Sequence, residues 1–260
     1  MQKYMECKSG NYVIRGTIHI PEGTSAANPV PMTVLCHGFT ADRNENLFIH
    51  KRLAKRLCAE GIAALCFDFM GSGESDGAFA EMSVLTEAAD ALAVLDYVRT
   101  LDFVDRKRVA FHGMSQGGLV SCLTAAARPD QIHALSLWAP ALCIPDMCHG
   151  NELLGISVEG ISEKGYIDFR GEKLSSIYVE DGRKVNIWDD IQKYKGPVQI
   201  VHGTADMSVD FSYSVRLKEV LGDRCALYPV EGADHDFSTI SYNQQRLDYA
   251  VGFLKETLQR

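Results

Sequence analysis

The chain is 260 residues long, 46% hydrophobic and 23% charged, with a formal net charge of −8 at pH 7. That length and balance suit one large globular domain with a substantial core and room for an insertion, not two independent domains. An acidic chain without a basic run excludes a nucleic-acid-binding surface, which needs clustered Lys and Arg to displace counterions, and disfavours a strongly anionic polymer as substrate.

Residues 12–20 (YVIRGTIHI) alternate as a half-buried strand does, and with residues 4–6 they predict an N-terminal hairpin. After a polar loop over 21–31, residues 32–36 read as a buried strand ending at His37-Gly38-Phe39. Apolar residues recur at helical spacing over 47–58, and Gly61 closes that helix. Residues 62–69 (IAALCFDF) form a near-continuous apolar run, the mark of a strand covered on both faces. They empty into a loop of turn residues over 70–77. The longest amphipathic helix is expected over 81–100. A strand over 108–112, a helix after it and a strand over 134–139 continue the alternation, which implies βαβ crossovers and a mainly parallel sheet.

The rhythm breaks over 142–195, where glycines at 150, 155, 160, 165, 171 and 182 and scattered charges replace any crossover helix. So long a stretch reads as a small inserted subdomain rather than a loop. Regularity returns with a strand over 198–202, a helix over 211–221, a strand over 225–229 and a final helix over 242–258. The expected organisation is an α/β core from residues 1–142 and 195–260, carrying an insertion at 143–194.

Eight cysteines are present, and Cys36, Cys66 and Cys122 lie within apolar patterns where a free thiol behaves as a small hydrophobe. No Cys-x-x-Cys pair exists, so neither a zinc site nor a redox motif is indicated. Cys143 and Cys148 are near enough to pair, but reduced thiols are the favoured reading. The N-terminal stretch lacks the apolar core of a signal peptide, and no run approaches the ~20 apolar residues of a membrane span. A reducing, cytoplasmic compartment and no membrane partner are expected.

The chemistry centres on residues 109–119, VAFHGMSQGGL. Gly113-Met114-Ser115-Gln116-Gly117 between a strand and a helix is the pattern of a nucleophile elbow. A serine hydroxyl is a poor nucleophile at neutral pH, so it needs a base within reach and a group to orient that base. Asp206 follows the strand over 198–202, and His235 follows the strand over 225–229. Residues just past the carboxyl ends of parallel strands converge on one rim, so the three can meet. Asp210, Asp234 and Asp236 are rival acids; Asp210 is expected to open the next helix, and the two beside His235 to point away from its ring. Donors for a tetrahedral intermediate are expected from two backbone N–H groups, those of Gln116 and Phe39. The other histidines lack metal spacing, with His37 and His202 reading as loop braces and Phe111 and Trp138 as core. Residues 71–76 lack a P-loop lysine and read as a structural loop near the rim. Neither metal nor cofactor is called for.

Together these residues resemble the α/β-hydrolase family, and within it the cinnamoyl and feruloyl esterases of gut bacteria. The likeness runs nearly end to end, through His37-Gly38-Phe39-Thr40-Ala41-Asp42-Arg43-Asn44, Phe67-Asp68-Phe69, Gly71-Ser72-Gly73-Glu74-Ser75-Asp76-Gly77, the elbow, Ala139-Pro140-Ala141, His202-Gly203-Thr204-Ala205-Asp206 and Glu231-Gly232-Ala233-Asp234-His235. The resemblance implies Ser115 as nucleophile, His235 as base and Asp206 as its partner, with Phe39 and Gln116 giving the oxyanion donors. It makes 143–194 a lid that forms the acyl pocket, and puts Asp146 and Tyr178 where family members bind the phenolic hydroxyl of a hydroxycinnamate. It also implies a small-molecule ester substrate and a homodimer. Met114 stands where histidine is common in the elbow, and the lid matches poorly between 155 and 177, which bears on substrate preference. Hydrolysis of a carboxylic ester is therefore the expected activity. The same three residues would also serve a lipase, a thioesterase or an aminopeptidase. A non-catalytic binding protein on this fold is the remote alternative, and the complete set of three residues speaks against it.

Overall fold

The structure is a computed structural model and describes residues 1–259. It opens with the antiparallel hairpin of β1 (Gln2–Ser9) and β2 (Tyr12–His19). Strands and helices then alternate: β3 (Val30–Cys36), α1 (Ile49–Ala59), β4 (Ala63–Phe67), α2 (Val84–Val98), β5 (Val104–Met114), α3 (Gln116–Ala127) and β6 (Ala134–Trp138). Next come short elements only: α4 (Ile144–His149), β7 (Glu152–Leu153), β8 (Ile156–Ser157), α5 (Ile161–Lys164), β9 (Tyr166–Phe169), β10 (Glu172–Ser175), α6 (Ser176–Gly182) and α7 (Ile187–Asp190). The chain then resumes its alternation with β11 (Val198–Gly203), α8 (Ser212–Leu221), β12 (Cys225–Val230) and α9 (Ile240–Leu258).

Eight strands form one sheet in the order β1-β2-β4-β3-β5-β6-β11-β12. β2 alone runs against the others, pairing antiparallel with both β1 and β4, and every pairing from β4 onward is parallel. Alternation along each strand explains why the sheet has two cores. β3 sends Met32, Val34 and Cys36 to one face and Leu35 to the other; β4 divides Ala63, Leu65 and Phe67 from Ala64 and Cys66 in the same way. The first face is covered by α2, α3, α8 and the stretch between β6 and β11, the second by α1 and α9. Covering both faces is what turns these strands into nearly unbroken apolar runs.

Several boundaries shift from the sequence-based expectation for local reasons. The first helix begins at Ile49 rather than residue 47, because Leu47 and Phe48 take positive φ angles of 51° and 58° and turn their side chains outward. The helix expected to be the longest, α2, spans only 15 residues against the 19 of α9, because it begins at Val84, where the Ser83 hydroxyl accepts from the Thr86 N–H and the Thr86 hydroxyl accepts from the Ser83 N–H, a reciprocal cap. Residues 79–81 form a separate tight turn before it. The two hairpins and short helices between β6 and β11 have too few residues each to carry a readable period. All eight cysteines are free thiols. Among the described residues no helix is long and apolar enough to cross a membrane.

Candidate active site

β5 ends at Met114 and α3 begins at Gln116, so Ser115 alone makes the turn, with φ 54° and ψ −119°. That is a costly region for any residue with a Cβ. It is held by hydrogen bonds on both sides: the Ser115 N–H donates to Trp138 O at 2.9 Å, and Ser115 O accepts from the Ala141 N–H at 2.9 Å. The flanking glycines let three backbones close in. A Cβ on Gly113 would lie 2.6 Å from the Gly118 nitrogen, and one on Gly117 would lie 2.5 Å from the His37 carbonyl oxygen.

The turn lifts the Ser115 hydroxyl to within 3.0 Å of His235 Nε2, across a sequence separation of 120 residues. His235 Nδ1 lies 2.6 Å from Asp206 Oδ2. A carboxylate only accepts, so Nδ1 carries the proton here and Nε2 is left as the acceptor facing the serine. Asp206 is itself held: Oδ1 accepts from the N–H groups of Ser208 and Val209 at 2.8 and 2.9 Å, and Oδ2 accepts from His202 Nε2 at 3.1 Å. Burial alone would raise its pKa. Hydrogen bonds from His202 and His235, the nearby His235 ring and the Val209 N–H outweigh that and hold the carboxyl well below its usual range. Two of the three rival acids are engaged elsewhere. Asp210 accepts from the Ser212 N–H at 2.8 Å at the start of α8, and Asp234 accepts from the Ser238 N–H at 2.8 Å.

The ring of His202, expected only to brace a loop, sits on the acid. Its Nε2–H is shared between Asp206 Oδ2 and the Val209 carbonyl oxygen, while Nδ1 accepts from the Ser214 hydroxyl at 2.7 Å. The signal available in the sequence was its place at the end of β11, four residues before Asp206. His37 does brace loops: its Nδ1 faces Gly38 O at 2.8 Å, and Nε2 accepts from the Phe69 N–H at 3.1 Å.

The N–H groups of Phe39 and Gln116 have no backbone acceptor among the described residues; Gln116 follows Ser115 directly, and Gly38, next to Phe39, lies close enough to Ser115 that a Cβ there would come within 3.4 Å of the serine Cβ. The loop carrying Phe39 is fixed by a residue that sequence reasoning missed, Glu45, whose Oε2 accepts from the Gly38 N–H at 2.6 Å. Nothing local marks Glu45 for this, since it reaches back over seven residues. The 70–77 loop is tied to the same region through buried Asp68, which accepts from the backbone N–H groups of Arg43 and Glu74 and pairs with the Arg43 guanidinium.

Ser115 and His235 open into a cavity of about 1110 Å³. Phe39, Phe169 and Tyr178 make one wall, with Phe39 centred 5.0 Å from the Phe169 ring and 5.5 Å from that of Tyr178. Asp42, Glu45, Glu152 and Asp236 also line it, against a single guanidinium, Arg170. Asp146 does not line this cavity, contrary to expectation. Helix α4 turns Ile144 and Met147 inward, and Asp146, one residue round the helix from Met147, is exposed and accepts from the Tyr213 hydroxyl at 2.8 Å. Tyr178 does line the cavity, but its hydroxyl donates to Gln116 Oε1 at 2.6 Å. Among the described residues no group of three or more His, Cys, Asp or Glu side chains could hold a metal ion.

Comparison with known proteins adds to this geometry. A family model described as "Serine aminopeptidase, S33" matches residues 27–164, just over half the chain. A solved structure of Est1E from Butyrivibrio proteoclasticus with ferulic acid bound matches with a TM-score of 0.90 and 29% identity, covering 98% of this chain and 100% of that one. Among curated proteins, an uncharacterised 31.7 kDa protein from Escherichia coli is 31% identical over 115 residues, 44% of this chain and 37% of that protein's length. The quorum-quenching protein AidA from Acinetobacter baumannii is 36% identical over 111 residues, 42% of this chain and 35% of that protein. The chain thus spans little more than a third of the length of these curated relatives.

Proposed function

The chain belongs to the serine aminopeptidase S33 family of α/β-hydrolases, and from that premise we propose that it is a serine carboxylic-ester hydrolase acting on hydroxycinnamate esters through Ser115, His235 and Asp206. The observation that carries this reading is the unbroken contact from the Ser115 hydroxyl through His235 to Asp206, 3.0 and 2.6 Å, at the wall of a large cavity.

Ser115 Oγ attacks the ester carbonyl as His235 Nε2 takes its proton, and Asp206 steadies the imidazolium that forms. The N–H groups of Phe39 and Gln116 receive the developing oxyanion, a contribution of about 10²–10³ in rate per donor. The alcohol leaves with the proton from His235. Water then enters by the same base, cleaves the acyl-enzyme and releases the acid. Residues 143–194 act as the lid over the acyl group. The Phe39, Phe169 and Tyr178 wall suits a flat aromatic acyl chain, and the likeness to a solved structure with ferulic acid bound supports the same acid here.

A second reading, hydrolysis of an aminoacyl amide, is favoured by the family description and by Glu45 and Glu152 on the cavity wall, either of which would hold a free amino terminus. A panel of methyl ferulate, methyl cinnamate, 4-nitrophenyl butyrate and an aminoacyl 4-nitroanilide separates the two. Methyl ferulate is expected to give the highest kcat/KM. Turnover of the anilide above every ester would replace the esterase reading with the peptidase one.

A further inference from the structure

Gln116 lends its N–H to the proposed oxyanion site, but its side chain, fully buried, spans two other elements. Its Nε2 donates to Glu87 Oε2 at 2.8 Å, and its Oε1 accepts from the Tyr178 hydroxyl at 2.6 Å. Glu87 stands on the inward stripe of α2, 2% exposed, and Tyr178 on α6 is fully buried. A carboxyl at one end and a phenol at the other leave the carboxamide a single good orientation. The same two helices meet again one turn away, where the Ser83 hydroxyl donates to Asp181 Oδ2 at 2.6 Å.

A carboxyl group sunk in an apolar layer is costly, and no cation is paired with this one among the described residues. Burial pushes the Glu87 carboxyl well above its ordinary range, against the lowering effect of the Gln116 amide. An aliphatic side chain would fill the space more cheaply. What an aliphatic side chain would not do is hold the far end of the residue whose backbone aims at the oxyanion.

We propose that Glu87 and the Tyr178 hydroxyl are positioning groups that clamp the Gln116 carboxamide, so that seating of α6 and the aim of the Gln116 N–H are set together. The inference rests on the reading of Gln116 as an oxyanion donor. If α6 shifts, the pull passes through one hydrogen bond to the first residue of the elbow helix. Glu87 touches neither cavity nor substrate and acts only through Gln116.

The test uses the full chain and 4-nitrophenyl acetate, whose acyl group has no ring to lose contacts with Tyr178. Glu87→Leu and Tyr178→Phe should each lower kcat about ten- to a hundredfold, the scale of a displaced catalytic donor, with KM within about twofold. Glu87→Gln, which keeps an oxygen to accept from Gln116, should recover most of that loss. The double variant Glu87→Leu/Tyr178→Phe should cost no more than the worse single, because both act on one carboxamide. Wild-type kcat in a cooperatively melting Glu87→Leu, or losses that add in the double variant, would overturn the clamp. Should Glu87→Leu not fold, an undiminished kcat in Tyr178→Phe overturns it instead. Activity surviving in Ser115→Ala would sink the esterase reading itself; a dead Ser115→Ala beside fully active clamp variants sinks only the clamp.

Discussion

His202 and His235 grip the same oxygen of Asp206, at 3.1 and 2.6 Å, while the other oxygen takes two backbone N–H groups. The carboxylate is therefore fixed from four directions, and only one of its partners faces the serine.

That arrangement predicts graded losses. Asp206→Asn removes the charge that stabilises the imidazolium and should lower kcat about 10³–10⁴-fold. His202→Ala leaves the charge but frees one side of it, and should cost about tenfold in kcat with little change in KM. Steady-state rates on one ester decide; a His202→Ala enzyme as impaired as Asp206→Asn would mean that the ring, and not the carboxylate, dominates.

Acid stability follows from the same contact. Asp206 is held well below its usual range in the folded chain, against about 4 when unfolded. A depressed carboxyl contributes stability that is complete above the unfolded value and is lost as pH falls below it toward the folded one. Denaturant melts should therefore show the wild type losing stability below about pH 4, and Asp206→Asn losing less across the same interval. Parallel acid profiles for the two proteins would contradict this.

Ser115 stores backbone strain, with φ 54° and ψ −119°. Ser115→Ala and Ser115→Gly should both lose ester hydrolysis by about four orders of magnitude or more. Glycine tolerates that backbone, so Ser115→Gly should be more stable than Ser115→Ala by about 1 kcal/mol in thermal or urea unfolding. Equal stabilities would mean that the turn is not strained.

Glu45 holds the Gly38 N–H beside the proposed donor Phe39. Glu45→Ala should lower kcat about tenfold by loosening that loop, and Glu45→Gln should restore most of it through its remaining oxygen. An alanine variant with unchanged kcat would remove Glu45 from any positioning role.

Charge on the cavity wall should also sort substrates. Four carboxylates, Asp42, Glu45, Glu152 and Asp236, face one guanidinium, Arg170. An anionic 4-nitrophenyl hemisuccinate should be cleaved less efficiently than neutral 4-nitrophenyl butyrate, by about three- to tenfold in kcat/KM, with the gap narrowing as salt screens the wall. A gap that does not respond to salt would have to come from shape.

Much of the architecture was legible because it is written in local periods. The unbroken run over 62–69 and the alternation over 12–20 needed no distant partner to be read as strands, and Gly113, Ser115 and Gly117 announce their turn by their spacing between a strand and a helix. Asp206 and His235 could be picked out because strand ends in a parallel sheet share a rim, so topology supplied the proximity that the sequence lacks. Orientation was another matter. Asp146 and Met147 are neighbours in the chain, yet one meets Tyr213 outside and the other lines the cavity, a difference of one step around a helix that no pattern in six residues records. Nothing in the helix expected over 81–100 singled out Glu87, and Gln116 read as a backbone donor only. That these two meet, with Tyr178 closing the chain from 62 residues away, depends on which helix lies against which. Sequence alone determined where strands, turns and reactive side chains fall, because those obey rules of a few residues' range. Tertiary structure decided which buried polar groups satisfy one another, because a hydrogen bond between distant segments exists only once the packing has brought them together.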